Sequence, residues 1–129
     1  MILADTSVWI DHFRTAIPEM QNLLANDQIA MHPFVVAELA LGSLRSRATT
    51  LEYLDFLPPA RVAHLTEVRH MIEAQSLDSK GIGLTDAHLI ASCLLTKGTQ
   101  LWSRDAALMK IAAAFGILFK PTGDGKANP

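Results

Sequence analysis

Four acidic residues stand where their types and spacing could do chemistry: Asp5, Glu38, Asp86 and Asp105. Asp5 closes the short apolar run ILA and is followed at once by two hydroxyl residues, Thr6 and Ser7. Asp105 closes the run TQLW in the same way, after Ser103 and Arg104. Asp86 follows Thr85 at the head of LTDAHLIASCLL. Ile90, Cys93 and Leu94 lie four, seven and eight residues on, so Asp86 shares a face with the apolar stripe. Glu38 lies inside FVVAELALG, with Val35 and Leu41 three residues to either side.

Carboxylates on apolar faces are costly to bury, and they either shift their pKa or find a cation. Two unit charges ~4 Å apart repel by about 4 kcal/mol at an effective dielectric near 20. A divalent ion relieves that repulsion. An all-oxygen donor set selects Mg²⁺, with Mn²⁺ as a substitute, over zinc, which favours nitrogen and sulfur. Such a site suits phosphodiester hydrolysis, in which a metal ion activates water and steadies the leaving oxygen. Each acid also has a plainer role open to it. Asp5 can cap a helix, Asp86 and Asp105 can satisfy first-turn amides, and Glu38 can pair with Arg45.

These acids must be positioned by the elements around them. MILAD reads as a buried strand, SVWIDHFRT as a helix, and PEMQNLLAND as a second helix opened by Pro18. QIAMHP reads as a strand, FVVAELALGSLR as a helix ending near Gly42, and SRATTLEYLDFL as a helix stopped by Pro58-Pro59. ARVAHL is expected to be a third strand and TEVRHMIEAQSL a helix; a loop, DSKGIG, leads to the helix carrying Asp86. TQLWS is a fourth strand, DAALMKIAAAFG a helix and ILFK a fifth strand. Short apolar strands alternating with helices predict a parallel sheet covered on both faces. Sites in such sheets gather beyond the carboxyl ends of the strands, where Asp5 and Asp105 fall.

The bulk numbers agree with one enzyme-sized domain. The chain has 129 residues, 50% hydrophobic and 19% charged, which suits a globular core. Residues 1–121 form the expected domain and 122–129, rich in breakers and polar residues, an expected flexible tail. No apolar run approaches the ~18 residues of a membrane span, and no secretory signal precedes Ile2. A single cysteine, Cys93, fits a reducing, cytoplasmic setting. A formal charge of −2 argues against indiscriminate nucleic-acid binding but leaves room for a local basic rim.

At these residues the chain resembles a PIN-domain nuclease, and more narrowly a VapC-type toxin of a toxin–antitoxin pair. The motifs that carry the resemblance are ILADTSVWIDHFR, VVAELALG, LTDAHLIASCLL and LWSRDAALMKIA, in order from Ile2 to about Pro121. The resemblance implies a three-layer α/β/α sandwich with a central, mainly parallel sheet. It implies Mg²⁺- or Mn²⁺-dependent endoribonuclease activity, with Asp5, Glu38, Asp86 and Asp105 as the acidic set. Asp5 and Asp86 are the expected direct ligands, and Thr6 and Ser103 the supporting hydroxyls. It further implies a homodimer restrained by a small cognate antitoxin.

RNA needs positive charge near the acids. Arg104, beside Asp105, is the foremost candidate for a phosphate contact, with Arg14 and Arg45, and then Arg47 and Lys80, as further ones. Trp9 and Phe13 read as core or partner-facing residues, His12 and His88 as structural, and Cys93 as core. Two other functions remain to be set against the nuclease. A phosphoacceptor receiver domain shares the architecture and ends its last strand on a similar Lys120-Pro121, but ARVAHLTE lacks the aspartate it would need. A PIN scaffold that binds RNA or protein without cutting would retain the fold alone.

Overall fold

Ile2, Leu3 and Ala4 are all buried, without the alternation of a half-exposed strand, and they form the central strand β1 (Ile2–Ala4). The computed structural model describes residues 1–122. Strand β2 (Ile29–Ala30) pairs in parallel on one side of β1, with Ile2 opposite Ile29. Strand β3 (Gln100–Trp102) pairs in parallel on the other, with Ile2 opposite Gln100 and Ala4 opposite Trp102. The strand order is therefore β2-β1-β3.

Two expected strands shrink to single parallel bridges at the sheet edges. The third, expected over ARVAHL, leaves only a bridge one residue before it, Pro59 opposite Met31. The Met31 amide donates to the Pro58 carbonyl at 2.7 Å and the Ala60 amide to the Met31 carbonyl at 2.9 Å, after which the chain leaves the sheet. Proline has no N–H to continue a ladder, and Val62 beyond it is exposed. The segment is held to the helix carrying Asp86 instead, where the Ser92 hydroxyl donates to the Arg61 carbonyl. The fifth strand, expected over ILFK, is reduced to Leu118 opposite Leu101.

Seven helices flank the sheet among the described residues: α1 (Thr6–Arg14), α2 (Pro18–Ala25), α3 (Pro33–Ala40), α4 (Arg47–Asp55), α5 (Leu65–Ala74), α6 (Leu84–Leu95) and α7 (Ala106–Ala114). Their starts follow local chemistry. Pro18 and Pro33 occupy first helical positions, where the missing amide costs nothing. Glu67 accepts from the His64 amide at 2.8 Å at the head of α5. Helix α7 stops before Gly116, whose φ of +73° suits a residue without Cβ.

The core is one cluster around β1. Trp9, Trp102, Leu3, Met20, Leu89, Leu101 and Leu108 are fully buried in it. Each such side chain contributes about 1.5–3 kcal/mol relative to exposure. Trp9 and Trp102 thus fix α1 and the end of β3 to the same core, directly below Asp5 and Ser103. Cys93 is in this core, and burial pushes its thiol up to about 12, so it is inert packing. The tail expected over 122–129 lies outside the described residues except for Thr122. That residue is tied down: its amide and hydroxyl bond Glu19 at 3.1 and 2.8 Å.

Candidate functional site

Asp5 is both a cap and a buried charge. It is the N-cap of α1, and its Oδ1 accepts the Val8 amide at 3.1 Å and the Ser7 hydroxyl at 2.6 Å. Its Oδ2 accepts the Ser103 hydroxyl from the end of β3. The plain capping role is therefore real, but it uses one oxygen and leaves the other facing the neighbouring strand. Only 4% of Asp5 is exposed, and burial pushes its carboxyl above the ordinary range. The bonds from Ser103, Ser7 and Val8 pull the other way.

The other three acids approach from different elements. Asp86 sits half-buried in the first turn of α6. Burial raises its carboxyl first, the Gly83 backbone lowers it, and the charges of Asp5, Asp105 and Glu38 raise it further. That mutual repulsion brings all four acids into one field. Asp105 is the N-cap of α7 and accepts the Ala107 amide at 3.0 Å. Glu38 accepts the Thr6 hydroxyl at 2.5 Å, joining α3 to the start of α1.

Two expectations need correction here. Glu38 and Asp105 are exposed, so only Asp5 bears a full burial cost. Glu38 does not look inward with Leu41: Leu41 keeps αR backbone, its amide bonding the Ala37 carbonyl, and is 89% exposed, so the face that it shares with Glu38 points outward. Nor does Glu38 pair with Arg45 among the described residues: the ion pairs there are Arg14–Asp11 and Arg104–Asp11.

The hydroxyls form a chain beneath the acids. Ser103 donates to Asp5 and accepts the Asp105 amide at 3.0 Å. Ser7 donates to Asp5 and accepts the Arg104 amide at 3.1 Å. Thr6 bonds Glu38 and Ser103 bonds Asp5, each reaching across from another element. Ser7 and Asp11 were not picked out from the sequence. Ser7 was visible as the second hydroxyl after Asp5, but nothing local marks its bond to a residue so distant in the chain.

The basic candidates divide. The Arg104 guanidinium bonds Asp11 Oδ2 at 3.1 Å and braces the turn after β3 against α1. Arg14 is largely exposed, with a 3.5 Å contact to Asp11. Arg14 and Arg45 line a cleft of about 450 Å³ together with Glu38, Ile10, Phe13 and Leu44. Arg47 is spent on structure, donating to the Ala40 and Gly42 carbonyls at the end of α3. Among the histidines, His12 Nδ1 accepts the Ile17 amide and His32 Nδ1 the Phe34 amide, both structural. His88 is buried against Phe34 and His32.

The donor set is all carboxylate and hydroxyl oxygen, which is the chemistry of a hard cation. Among the described residues no three acidic, histidine or cysteine side chains close into a cage. The acids sense one another's charge without enclosing a point, so the site is an open acidic mouth. That arrangement fits an ion that keeps most of its water and takes only one or two carboxylates directly.

Residues 2–114 match the PIN domain family. The chain is 40% identical over 117 residues to ribonuclease VapC32 of Mycobacterium tuberculosis, in both strain CDC 1551 / Oshkosh and strain ATCC 25618 / H37Rv. The alignment covers 91% of this chain and 94% of each relative. The receiver-domain alternative falls with this match.

Proposed function

The chain belongs to the PIN-domain family and is similar to the VapC32 ribonucleases, and from that premise we propose that it is a divalent-metal-dependent endoribonuclease. The observation that carries the proposal is the convergence of Asp5, Glu38, Asp86 and Asp105 beyond the carboxyl ends of β1 and β3, close enough for three of them to raise the fourth. A site that accumulates negative charge at the mouth of a parallel sheet is built for a cation and a phosphodiester.

Asp5 and Asp86 are the residues that would hold Mg²⁺ or Mn²⁺ directly, with Glu38 and Asp105 binding the ion's waters. The bound ion would generate hydroxide near neutral pH and offset charge on the leaving oxygen. The chain's own work is positioning. Ser103 and Ser7 hold the Asp5 carboxylate in one orientation, and Thr6 does the same for Glu38. Arg14 and Arg45 line the cleft beside Glu38 and would bind flanking phosphates. By its kinship the protein would act as the toxin of a toxin–antitoxin pair, as a homodimer restrained by a small antitoxin. No helix among the described residues is long and apolar enough to cross a membrane.

The test is cleavage of total cellular RNA with Mg²⁺, with Mn²⁺ and with EDTA, for the wild type beside Asp5→Asn. Discrete metal-dependent fragments, absent from the variant, are expected. No cleavage with either metal would overturn the proposal and favour a scaffold that binds without cutting.

A further inference from the structure

A second cleft, of about 570 Å³, lies between the loop that leads to Asp86 and the helix that Asp105 caps. It is lined by Lys80 from the loop and Lys110 from α7, over Leu77, Ala107, Ile111 and Phe115. Gly81 carries the loop past α7; its φ is +84°, and a Cβ there would meet Ala107 Cβ at 3.5 Å. Among the described residues, no acidic side chain lines the cleft. Both lysines are exposed, and among the described residues neither has an ion-pair or hydrogen-bond partner.

The cleft therefore presents two ammonium groups with no carboxylate among the described residues in its lining. Elsewhere in the site Arg104 is engaged with Asp11 and Arg47 with carbonyls, whereas Arg14 and Arg45 line the cleft beside Glu38. The Lys80–Lys110 cleft is a second place where positive charge is available, and there no carboxylate among the described residues lines it. It is also close to the acids. Ala107 lines it, and the Ala107 amide is the group Asp105 caps. Lys110 lies five residues beyond Asp105 along α7, roughly 7.5 Å of helix rise. A phosphate at the acidic mouth would place its neighbours within reach of a lysine there. The apolar floor, with Phe115 partly exposed, gives unpaired bases a surface to lie against.

We propose that Lys80 and Lys110 form a track for the backbone of single-stranded RNA leaving the acidic mouth, separate from the Arg14–Arg45 cleft. The inference rests on the ribonuclease reading and adds a positioning site to it. Lysine is a point-charge donor suited to backbone phosphates without sequence choice, so the track sets affinity and path, not the cleavage sequence.

The experiment uses the full chain and the Lys80→Ala/Lys110→Ala double variant, with Lys80→Arg/Lys110→Arg as the conservative control. A fluorescein-labelled oligouridylate is titrated in EDTA across a salt series, and total cellular RNA is cleaved in Mn²⁺ over a range of RNA concentrations. The double alanine variant is expected to bind about tenfold more weakly. Its slope of log affinity against log salt should be shallower by about 1.4, the effect of two lost phosphate contacts on a single strand. Half-maximal cleavage should need about tenfold more RNA, with the maximal rate retained, and the arginine pair should restore both. If the wild type cuts RNA and the double alanine variant matches it in binding, salt slope and half-saturation, the track is overturned while the nuclease stands. If those match and only inhibition by a purified antitoxin is lost, the cleft belongs to a protein and the track is again overturned. A wild type that cuts no RNA overturns both.

Discussion

Ser103 ties Asp5 to the turn that carries Asp105: its hydroxyl donates to Asp5 Oδ2 and accepts the Asp105 amide at 3.0 Å. One side chain at the end of β3 thus sets the direction of a buried carboxylate and the start of α7. Ser103 itself is buried, so the bond to Asp5 is shielded from competing water. The bond also lowers the Asp5 pKa against the burial that raises it.

Removing that hydroxyl has a signed consequence. In Ser103→Ala, Asp5 keeps its burial and loses an opposing hydrogen bond, so its pKa rises further. If ionised Asp5 holds the metal, the acidic limb of the pH–rate profile should move to higher pH. Loss of a residue that orients a metal ligand typically costs 10–100-fold, and the deficit should narrow as pH is raised. The check is the initial rate of RNA cleavage across pH for both proteins. An unshifted limb would mean Ser103 acts only on the fold.

Asp5→Asn separates charge from capping. Asparagine still accepts the Val8 amide, so the cap survives, while the repulsion on Asp86 falls. Without metal the variant should melt at or above the wild-type temperature, although cleavage is abolished. Asp5→Ala loses the cap too and should melt lower, by about 1 kcal/mol. Added Mg²⁺ or Mn²⁺ should raise the wild-type Tm but not that of Asp5→Asn. Thermal denaturation in EDTA and in excess metal decides it. A Tm of Asp5→Asn well below that of wild type in EDTA would mark the carboxylate as structural.

Thr6→Val probes the outermost acid. Thr6 Oγ1 holds Glu38 at 2.5 Å, but the pair is exposed, so stability should change by less than about 0.5 kcal/mol. Activity should fall about tenfold as Glu38 loses its fixed orientation. Parallel Tm and cleavage assays check this, and a stability loss as large as the activity loss would contradict it.

Much of this geometry was legible in the sequence for identifiable reasons. Asp5 and Asp105 each end an apolar strand and start a helix, so their placement follows from periodicity and capping preference. Asp86 declared itself by heading a helix with an uninterrupted apolar stripe. The parallel sheet was legible because β1 is buried on both faces. The errors arose where tertiary context overrode local pattern. ARVAHL has strand composition, but Pro58-Pro59 limit its pairing to one bridge, and Ser92 draws the rest to α6. Glu38 reads as inward-facing because Leu41 is apolar, whereas Leu41, still helical in backbone, is 89% exposed and Glu38 lines a cleft. The Ser7–Arg104 and Ser103–Asp5 bonds span 97 and 98 residues, a separation no local motif encodes.

His32 supplies a test of acid stability away from the acidic site. It is fully buried, caps α3 through Nδ1, and its Nε2 has no hydrogen-bond partner among the described residues. Burial, and then the adjacent His88, lower its pKa from 6.5 to about 4. A base with a lowered folded-state pKa contributes stability above its unfolded value and loses it as pH falls. The unfolded chain takes up the proton first, so the loss runs from about pH 6.5 down to about pH 4. Its size is at most about 3 kcal/mol. Burial lowers His88 in the same direction, whereas the raised pKa values of Asp5 and Asp86 act oppositely, because those acids favour the folded state when protonated. The comparison must therefore be with a variant and not with pH alone. His32→Asn keeps an acceptor for the Phe34 amide and removes the titrating ring. It opens a cavity and should lower Tm at pH 7.5, yet its Tm should fall less than the wild type's between pH 6.5 and pH 4.5. Denaturation curves for both proteins at the two ends of that window give the answer. Parallel declines would show that His32 is not what makes the fold sensitive to acid.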